Sequence, residues 1–158
     1  MPRVDRKAAL ALLASWLSDL SGGRLSARQT RSPRGDLELL DSRTGRTRYA
    51  KLAVRETSNS STDGKNFSIR RAVLESDRNG IVILLYLNEG GLKQGRVPVK
   101  AAWAVPYRSF SGLAGELSAR DTYQCRPVHS PTEFDQWSPY RRFSERDLVE
   151  RVLALCDG

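Results

Sequence analysis

The residues best suited to do chemistry in this chain lie close together, between Gly35 and Thr57. Asp36 and Glu38 stand two positions apart, so an extended strand would present both carboxylates on one face. A second run of alternating residues follows, and it carries Lys51 and Arg55 on one face. Two strands folded back on each other would therefore bring acids and bases onto one edge of a sheet.

A turn joins these two strands and gives the segment the pattern of a β-hairpin. The turn is Ser42–Arg46, in which Gly45 can adopt the positive φ that longer hairpin loops require. The second arm is predicted to run from about Thr47 to Glu56. Three arginines lie at this turn or just after it: Arg43, Arg46 and Arg48.

The charge of the chain favours an acidic partner. The formal net charge is +8 and the sequence pI is about 10.0, which for a soluble domain favours nucleic acid, with DNA as the first expectation. Only five of the 26 basic residues are lysine, and arginine binds phosphate through two parallel hydrogen bonds. An arginine bias that is merely compositional is the alternative. The arginines predicted to bind nucleic acid are Arg24, Arg28, Arg43, Arg46, Arg48, Arg55, Arg70 and Arg71.

Length and composition predict one soluble domain over residues 1–158. No apolar run approaches the roughly 18 residues that a membrane span needs, so we expect no membrane partner. Asp5 interrupts the basic start of the chain, which argues against a signal peptide and favours the cytoplasm.

Cys125 and Cys156 are expected to be reduced. Cys125 and His129 have a metal-like spacing, but one histidine and two cysteines are a poor supply for a zinc site.

The remaining chain predicts a mixed α/β fold in which helices flank a mixed central sheet. Apolar residues at helical spacing predict a helix over about 5–20, and Ser144 is the expected N-cap of a C-terminal helix. A continuous apolar run predicts a buried central strand over 81–87. The other expected segments are a short edge strand over 24–30, a mobile polar loop over 58–66, a helix over 67–76 with Ile69, Ala72 and Val73 inward, strands near 97–107 and 122–126, and an unassigned region over 109–139.

The order helix, strand, hairpin, helix, strand resembles the αβββαβ core of the PD-(D/E)XK, or restriction-endonuclease-like, superfamily. In that family an acid enters at the first arm of the hairpin, and an acid-x-Lys pattern lies on the second arm. Asp36 matches the first acid, whereas the acid-x-Lys positions become Ala53 and Arg55. Alanine cannot bind a metal, and arginine with a pKa above about 12 cannot accept a proton.

The resemblance implies a Mg²⁺ site only if other residues replace the missing ones. The replacements within reach are Glu38 or Glu75 as metal ligands beside Asp36, and Lys51 as the ammonium group that positions the attacking water. The catalytic set would then be Asp36, Glu38, Lys51 and Glu75.

Three functions follow from this reading. The first is a nucleic-acid-binding domain with catalysis lost or rearranged. The second is an active Mg²⁺-dependent endonuclease of restriction or phage defence. The third is a scaffold or regulatory subunit that binds protein, as a homodimer or in a larger complex, through the aromatic stretch from Trp103 to Tyr140. Trp103 and Tyr107 would either stack on bases or lie buried in the sheet.

Overall fold

The computed structural model describes residues 5–57, 66–88, 90 and 99–158. In this part of the chain the helices are α1 (Arg6–Asp19), α2 (Arg71–Ser76), α3 (Tyr107–Ala114) and α4 (Glu145–Cys156), with a short 3-10 helix at Ser138–Tyr140. The strands are β1 (Leu25–Gln29), β2 (Leu37–Asp41), β3 (Thr47–Glu56), β4 (Phe67–Arg70), β5 (Ile81–Leu87), β6 (Val99–Pro106), β7 (Thr122–Cys125) and β8 (Arg141–Arg142). The predicted mixed α/β fold class, with its hairpin and its C-terminal helix, is confirmed.

A six-stranded sheet in the order β1-β2-β3-β5-β6-β8 forms the centre of the molecule. The first three strands are an antiparallel meander, β3 runs parallel to β5, and β6 runs antiparallel to β5 and to β8. The connection from β3 to β5 passes through β4 and α2. All seven residues of β5 are buried, because apolar layers cover the strand on both faces. This strand is the buried one that the continuous apolar run predicts.

Two apolar cores lie on the two faces of the sheet. On one face α1 and α4 pack against the sheet, with Leu13 and Val149 fully buried. On the other face β4, α2 and α3 cover the sheet, and Trp103 and Tyr107 are each only 1 % exposed. These two aromatic residues therefore belong to the core, and the base-stacking alternative for them does not hold.

The expected helix over 67–76 is wrong in its first half. Phe67 and Ile69 are buried and the residues between and after them are exposed, which is the alternation of a strand. This strand, β4, pairs with β7 in a separate two-stranded sheet. Only residues 71–76 are helical, and there Leu74 is the buried residue, whereas Ala72 is exposed instead of inward.

The loop predicted to be mobile, over 58–66, lies almost entirely outside the described residues. Among the helices that are described, none is both long and apolar enough to cross a membrane.

Candidate functional site

Asp36 immediately precedes β2, beside the point on β3 beyond which β2 no longer pairs with it. The ten-residue strand β3 pairs with β2 only over residues 47–50. Beyond Ala50 the side chain of Asp36 replaces the missing strand as a hydrogen-bond acceptor, since its Oδ2 accepts the Leu52 backbone N–H at 2.8 Å. Arg6, at the start of α1, donates to the Leu52 carbonyl at 2.8 Å and to Asp36 Oδ2 at 2.6 Å. Two side chains thus satisfy the backbone of Leu52 in place of a neighbouring strand.

Two cations surround the Asp36 carboxylate. Besides Arg6, the ammonium of Lys51 lies 3.4 Å from Oδ1. The side chain of Asp36 is 19 % exposed and that of Lys51 is 26 % exposed, so the group is partly screened by water. We call Asp36, Arg6 and Lys51 the Asp36 cluster. Its net charge is +1, and the hydrogen bonds from Arg6 and Leu52 already occupy one carboxylate oxygen.

The described residues do not fit a Mg²⁺ site. Mg²⁺ requires close, nearly octahedral oxygen ligands, and neither predicted partner of Asp36 joins it. Glu38 receives both of its hydrogen bonds from Arg28, at 3.1 and 3.2 Å. Glu75 lies on α2 with its side chain 71 % exposed, 3.8 Å from Arg71. No group of three or more histidine, cysteine or acidic side chains suited to a metal occurs within the described ranges. Of the four predicted catalytic residues, the structure brings only Asp36 and Lys51 into contact.

The register between β2 and β3 determines which β3 residue lies beside Asp36. Leu37 pairs with Ala50, and the Asp36 N–H donates to the Ala50 carbonyl at 2.8 Å. The β3 residue beside Asp36 is therefore Lys51, whereas Ala53 and Arg55, the two positions compared with the acid-x-Lys pattern, lie further along β3. Arg55 binds the backbone carbonyls of Asn66 and Val54.

Arg24, one of the predicted nucleic-acid-binding residues, forms the most buried ion pair of the described chain. Its Nε and Nη2 donate to the two oxygens of Asp41, both at 2.9 Å, and the Asp41 side chain is only 3 % exposed. These hydrogen bonds lower the pKa of Asp41 to about 2. Arg24 also binds Asp157 at 2.7 Å, just after α4. Arg24 therefore fastens the hairpin to the C-terminal helix and is not available for phosphate.

Most of the other predicted arginines are also occupied within the chain. Arg28 binds Glu38, and Arg48 donates to the carbonyls of Asn79 and Cys156. Arg71 binds Asp121 at 3.0 Å. Arg43 approaches Asp157 only to 3.8 Å and its side chain is 70 % exposed. Arg46 and Arg70 are exposed and make no ion pair with any described residue.

Two arginines that sequence analysis did not select meet at one end of the sheet. Arg78 lies just before β5 and Arg108 just after β6, and the antiparallel register of these strands pairs Ile81 with Pro106. With Arg48 they line a recess, which we call the three-arginine recess. Arg78 and Arg108 are exposed, and neither makes an ion pair within the described part of the chain. The sequence around either arginine does not predict this pairing of β5 with β6, so their proximity could not be predicted from the sequence.

A buried tyrosine links the recess to the Asp36 cluster. Tyr107 precedes Arg108, packs its ring against Gly80, and donates its hydroxyl to the Arg34 carbonyl at 2.6 Å. Burial, followed by the charge of Asp36, raises the pKa of Tyr107 above its ordinary value. The guanidinium of Arg34 lies 5.8 Å from the ring centre of Tyr49. Tyr107 thus connects Gly80, which lines the recess, with the backbone two residues before Asp36.

No known protein family matches this chain by sequence, and no curated protein matches it either.

Proposed function

We propose that this chain is a nucleic-acid-binding domain with a restriction-endonuclease-like fold, in which Asp36 supports the sheet instead of metal-dependent hydrolysis. The three-arginine recess is the observation that carries the proposal, because it gathers guanidinium groups that no described carboxylate neutralises. The restriction-endonuclease-like fold is itself part of what we propose. Its support is the strand order β1-β2-β3-β5 with β3 parallel to β5, which suits an αβββαβ core.

The proposed contact surface runs from Arg108 through Arg34 to the Asp36 cluster. Nucleic acid is the expected ligand, with DNA as the first to test, since closely spaced arginines bind successive backbone phosphates in a bidentate way. Each neutralised phosphate releases counterions, so the affinity falls as salt rises. The two free cysteines, both buried, support the accompanying expectation of a reducing, cytoplasmic compartment.

The test is the salt dependence of binding to duplex and single-stranded oligonucleotides, followed by fluorescence anisotropy between about 50 and 200 mM salt. Replacing Arg78 and Arg108 together by glutamine should reduce the slope of log K against log salt by about 1.8, because each duplex phosphate that is no longer neutralised accounts for about 0.9. Negligible binding throughout, or an unchanged slope in the double variant, would reject the proposal.

Arg146→Gln is the matched control. Arg146 is exposed near the start of α4, and Leu155, near the other end of that helix, lines the recess. Nine residues of helix separate the two positions by about 13 Å. The control variant loses one positive charge away from the recess, against two in the double variant, so its slope should stay close to that of the unmodified protein, whereas Arg78→Gln or Arg108→Gln alone, with the same loss of one charge, should reduce the slope by about 0.9.

The contact between Asp36 and Lys51 favours a second candidate, the active Mg²⁺-dependent endonuclease, because it joins an acid and a lysine at 3.4 Å. In this alternative nucleic acid would itself supply the missing oxygen ligands. It requires that purified protein cleave plasmid DNA in the presence of Mg²⁺ or Mn²⁺. Intact plasmid under both metals would remove this candidate.

An exposed aromatic residue favours a third candidate, binding to protein. Phe134 is 77 % exposed beside Arg141, in the irregular segment before β8. Aromatic residues and arginine are frequent anchors of interfaces, which suits a homodimer or a larger complex. Light scattering on freshly purified material and its absorbance ratio at 260 and 280 nm separate this candidate from the others. A stoichiometric protein partner without nucleic acid would favour it.

A further inference from the structure

The small sheet formed by β4 and β7 turns a polar face outward. In β4 the apolar residues Phe67 and Ile69 face the core, so Ser68 and Arg70 face the opposite way. Their cross-strand partners are Gln124 for Ser68 and Thr122 for Arg70. A hydroxyl, an amide, a second hydroxyl and a guanidinium therefore stand on this one face of the two-stranded sheet.

A tight turn forms one wall beside this face. The Ser118 N–H donates to the Thr122 carbonyl at 2.9 Å, and the Asp121 N–H donates back to the Ser118 carbonyl at 3.1 Å. Asp121 has φ of 57°, a backbone region that aspartate tolerates better than most residues. The Arg120 N–H donates to the Ser118 hydroxyl at 3.3 Å. These bonds fix the backbone that carries Arg120.

The face and the wall enclose a cleft of about 500 Å³, which we call the Arg70 cleft. This volume lies within the range of about 300–1,000 Å³ that small-molecule sites occupy. Its lining is polar apart from Ala72 and contains no aromatic side chain: Ser68, Arg70, Ala72, Ser118, Arg120, Asp121, Thr122 and Gln124.

The charge of the Arg70 cleft is positive and uncompensated. Its one acid, Asp121, is bound by Arg71 at 3.0 Å, which cancels the negative charge. Arg70 and Arg120 remain, and neither pairs with an acid in the described part of the chain. Two like charges lining one cleft repel each other, and a bound anion removes that repulsion.

We propose that the Arg70 cleft binds a phosphate ester. The guanidinium groups of Arg70 and Arg120 hold the phosphate oxygens, and the hydroxyl of Ser68 supplies a further hydrogen bond, whereas the Thr122 hydroxyl already donates to the Arg120 carbonyl at 3.2 Å. Because no aromatic side chain lines the cleft, recognition rests on the phosphate and the polar groups next to it. The phosphate belongs either to a free nucleotide or to the backbone of a bound strand. The inference does not depend on the function proposed above, since the cleft shares no lining residue with the three-arginine recess.

The test is titration of the full chain with inorganic pyrophosphate, 5′-AMP and a single-stranded oligonucleotide at low ionic strength, by calorimetry and by amide chemical shifts. We expect binding of the small phosphates to weaken at least about tenfold in Arg70→Gln and in Arg120→Gln, because each removes a charge-assisted hydrogen bond. Amide shifts should be concentrated at Thr122 and Gln124. Arg146→Gln is the control for lost charge and should bind like the unmodified protein.

Each outcome decides the matter. If pyrophosphate and 5′-AMP bind and both variants lose them, the source is a free phosphate ester. If only the oligonucleotide binds, and both variants weaken it, the source is a backbone phosphate. If no probe binds, or if the variants bind as tightly as the Arg146→Gln control, the inference is overturned. Loss of oligonucleotide binding in the Arg78 and Arg108 double variant, with pyrophosphate binding retained, would separate the two sites.

Discussion

Replacing Asp36 by asparagine separates a structural role of this residue from a catalytic one, because the two roles predict opposite changes. Asparagine has nearly the same shape and keeps an oxygen that can accept the Leu52 N–H. The charge disappears, however, and Arg6 and Lys51 lose their shared partner. If the Asp36 cluster lies in a nucleic-acid contact surface, both freed cations become available for phosphate, and the affinity should rise.

The size of the change follows from counterion release. One additional phosphate contact, at a slope of about 0.9, increases the binding constant about eightfold in 0.1 M salt. Two freed cations set an upper limit near two contacts, so we expect a gain between about eightfold and sixtyfold. The cost in folding free energy should stay near 1 kcal/mol, since partly exposed ion pairs contribute only about 0–1 kcal/mol each.

The assay is fluorescence anisotropy with one duplex at several salt concentrations, and Glu116→Gln is its control. Glu116 is exposed and forms no ion pair with a described residue, so its replacement changes the net charge equally without freeing a cation. We expect less than about a twofold change for the control. Weaker or unchanged binding by Asp36→Asn would refute the reasoning. Loss of a Mg²⁺-dependent cleavage activity would refute it in favour of the endonuclease.

The buried ion pair and the buried thiols give two further predictions. Asp41→Asn should lower the free energy of unfolding by about 2 kcal/mol, measured by urea denaturation with an unchanged m-value, because Arg24 loses its charged acceptor; a loss below about 0.5 kcal/mol would contradict this. The pKa of Asp41 falls from 3.8 to about 2 on folding, so its contribution is present above about pH 4 and is lost as the pH falls towards 2, and that acid sensitivity should be smaller in the variant. Burial raises the pKa of Cys125 to about 12 and also raises that of Cys156, so a thiol reagent at pH 8 should label both only in urea, and rapid labelling of folded protein would show the burial to be wrong.

The parts of the fold that depend on neighbouring residues could be predicted from the sequence. The second arm of the hairpin ends where its alternation ends, and Gly45 has the expected positive φ of 71°. Ser144 caps α4, because its hydroxyl accepts the Asp147 N–H at 3.1 Å. The run from Ile81 to Leu87 is buried on both faces, as a continuous apolar strand must be.

The parts of the fold that depend on residues distant in sequence could not be predicted. Residues 67–70 alternate like a strand, but their partner strand starts at Thr122, more than fifty positions later, and no local signal announces the pairing. The same limit applies to predicting which arginines are free to bind a ligand, since a sequence gives the charge of an arginine but not the residues that contact it. Arg24 is 17 residues from Asp41 and 133 from Asp157, yet it binds both. The three-arginine recess depends on the β5–β6 register and was missed for that reason.

Asp36 illustrates how a position that looks catalytic can have a structural cause. The strand β2 pairs with only the first residues of β3, so β3 continues with an open edge whose backbone groups still need hydrogen-bond partners. A carboxylate at the first position outside β2 satisfies one such N–H, and the guanidinium of Arg6 satisfies the carbonyl of the same residue. Any hairpin with arms of unequal length creates this requirement, whether or not a metal binds. The open edge of β3 is therefore sufficient to explain an acid at this position, and only cleavage of DNA in Mg²⁺ or Mn²⁺ would add a catalytic role to it.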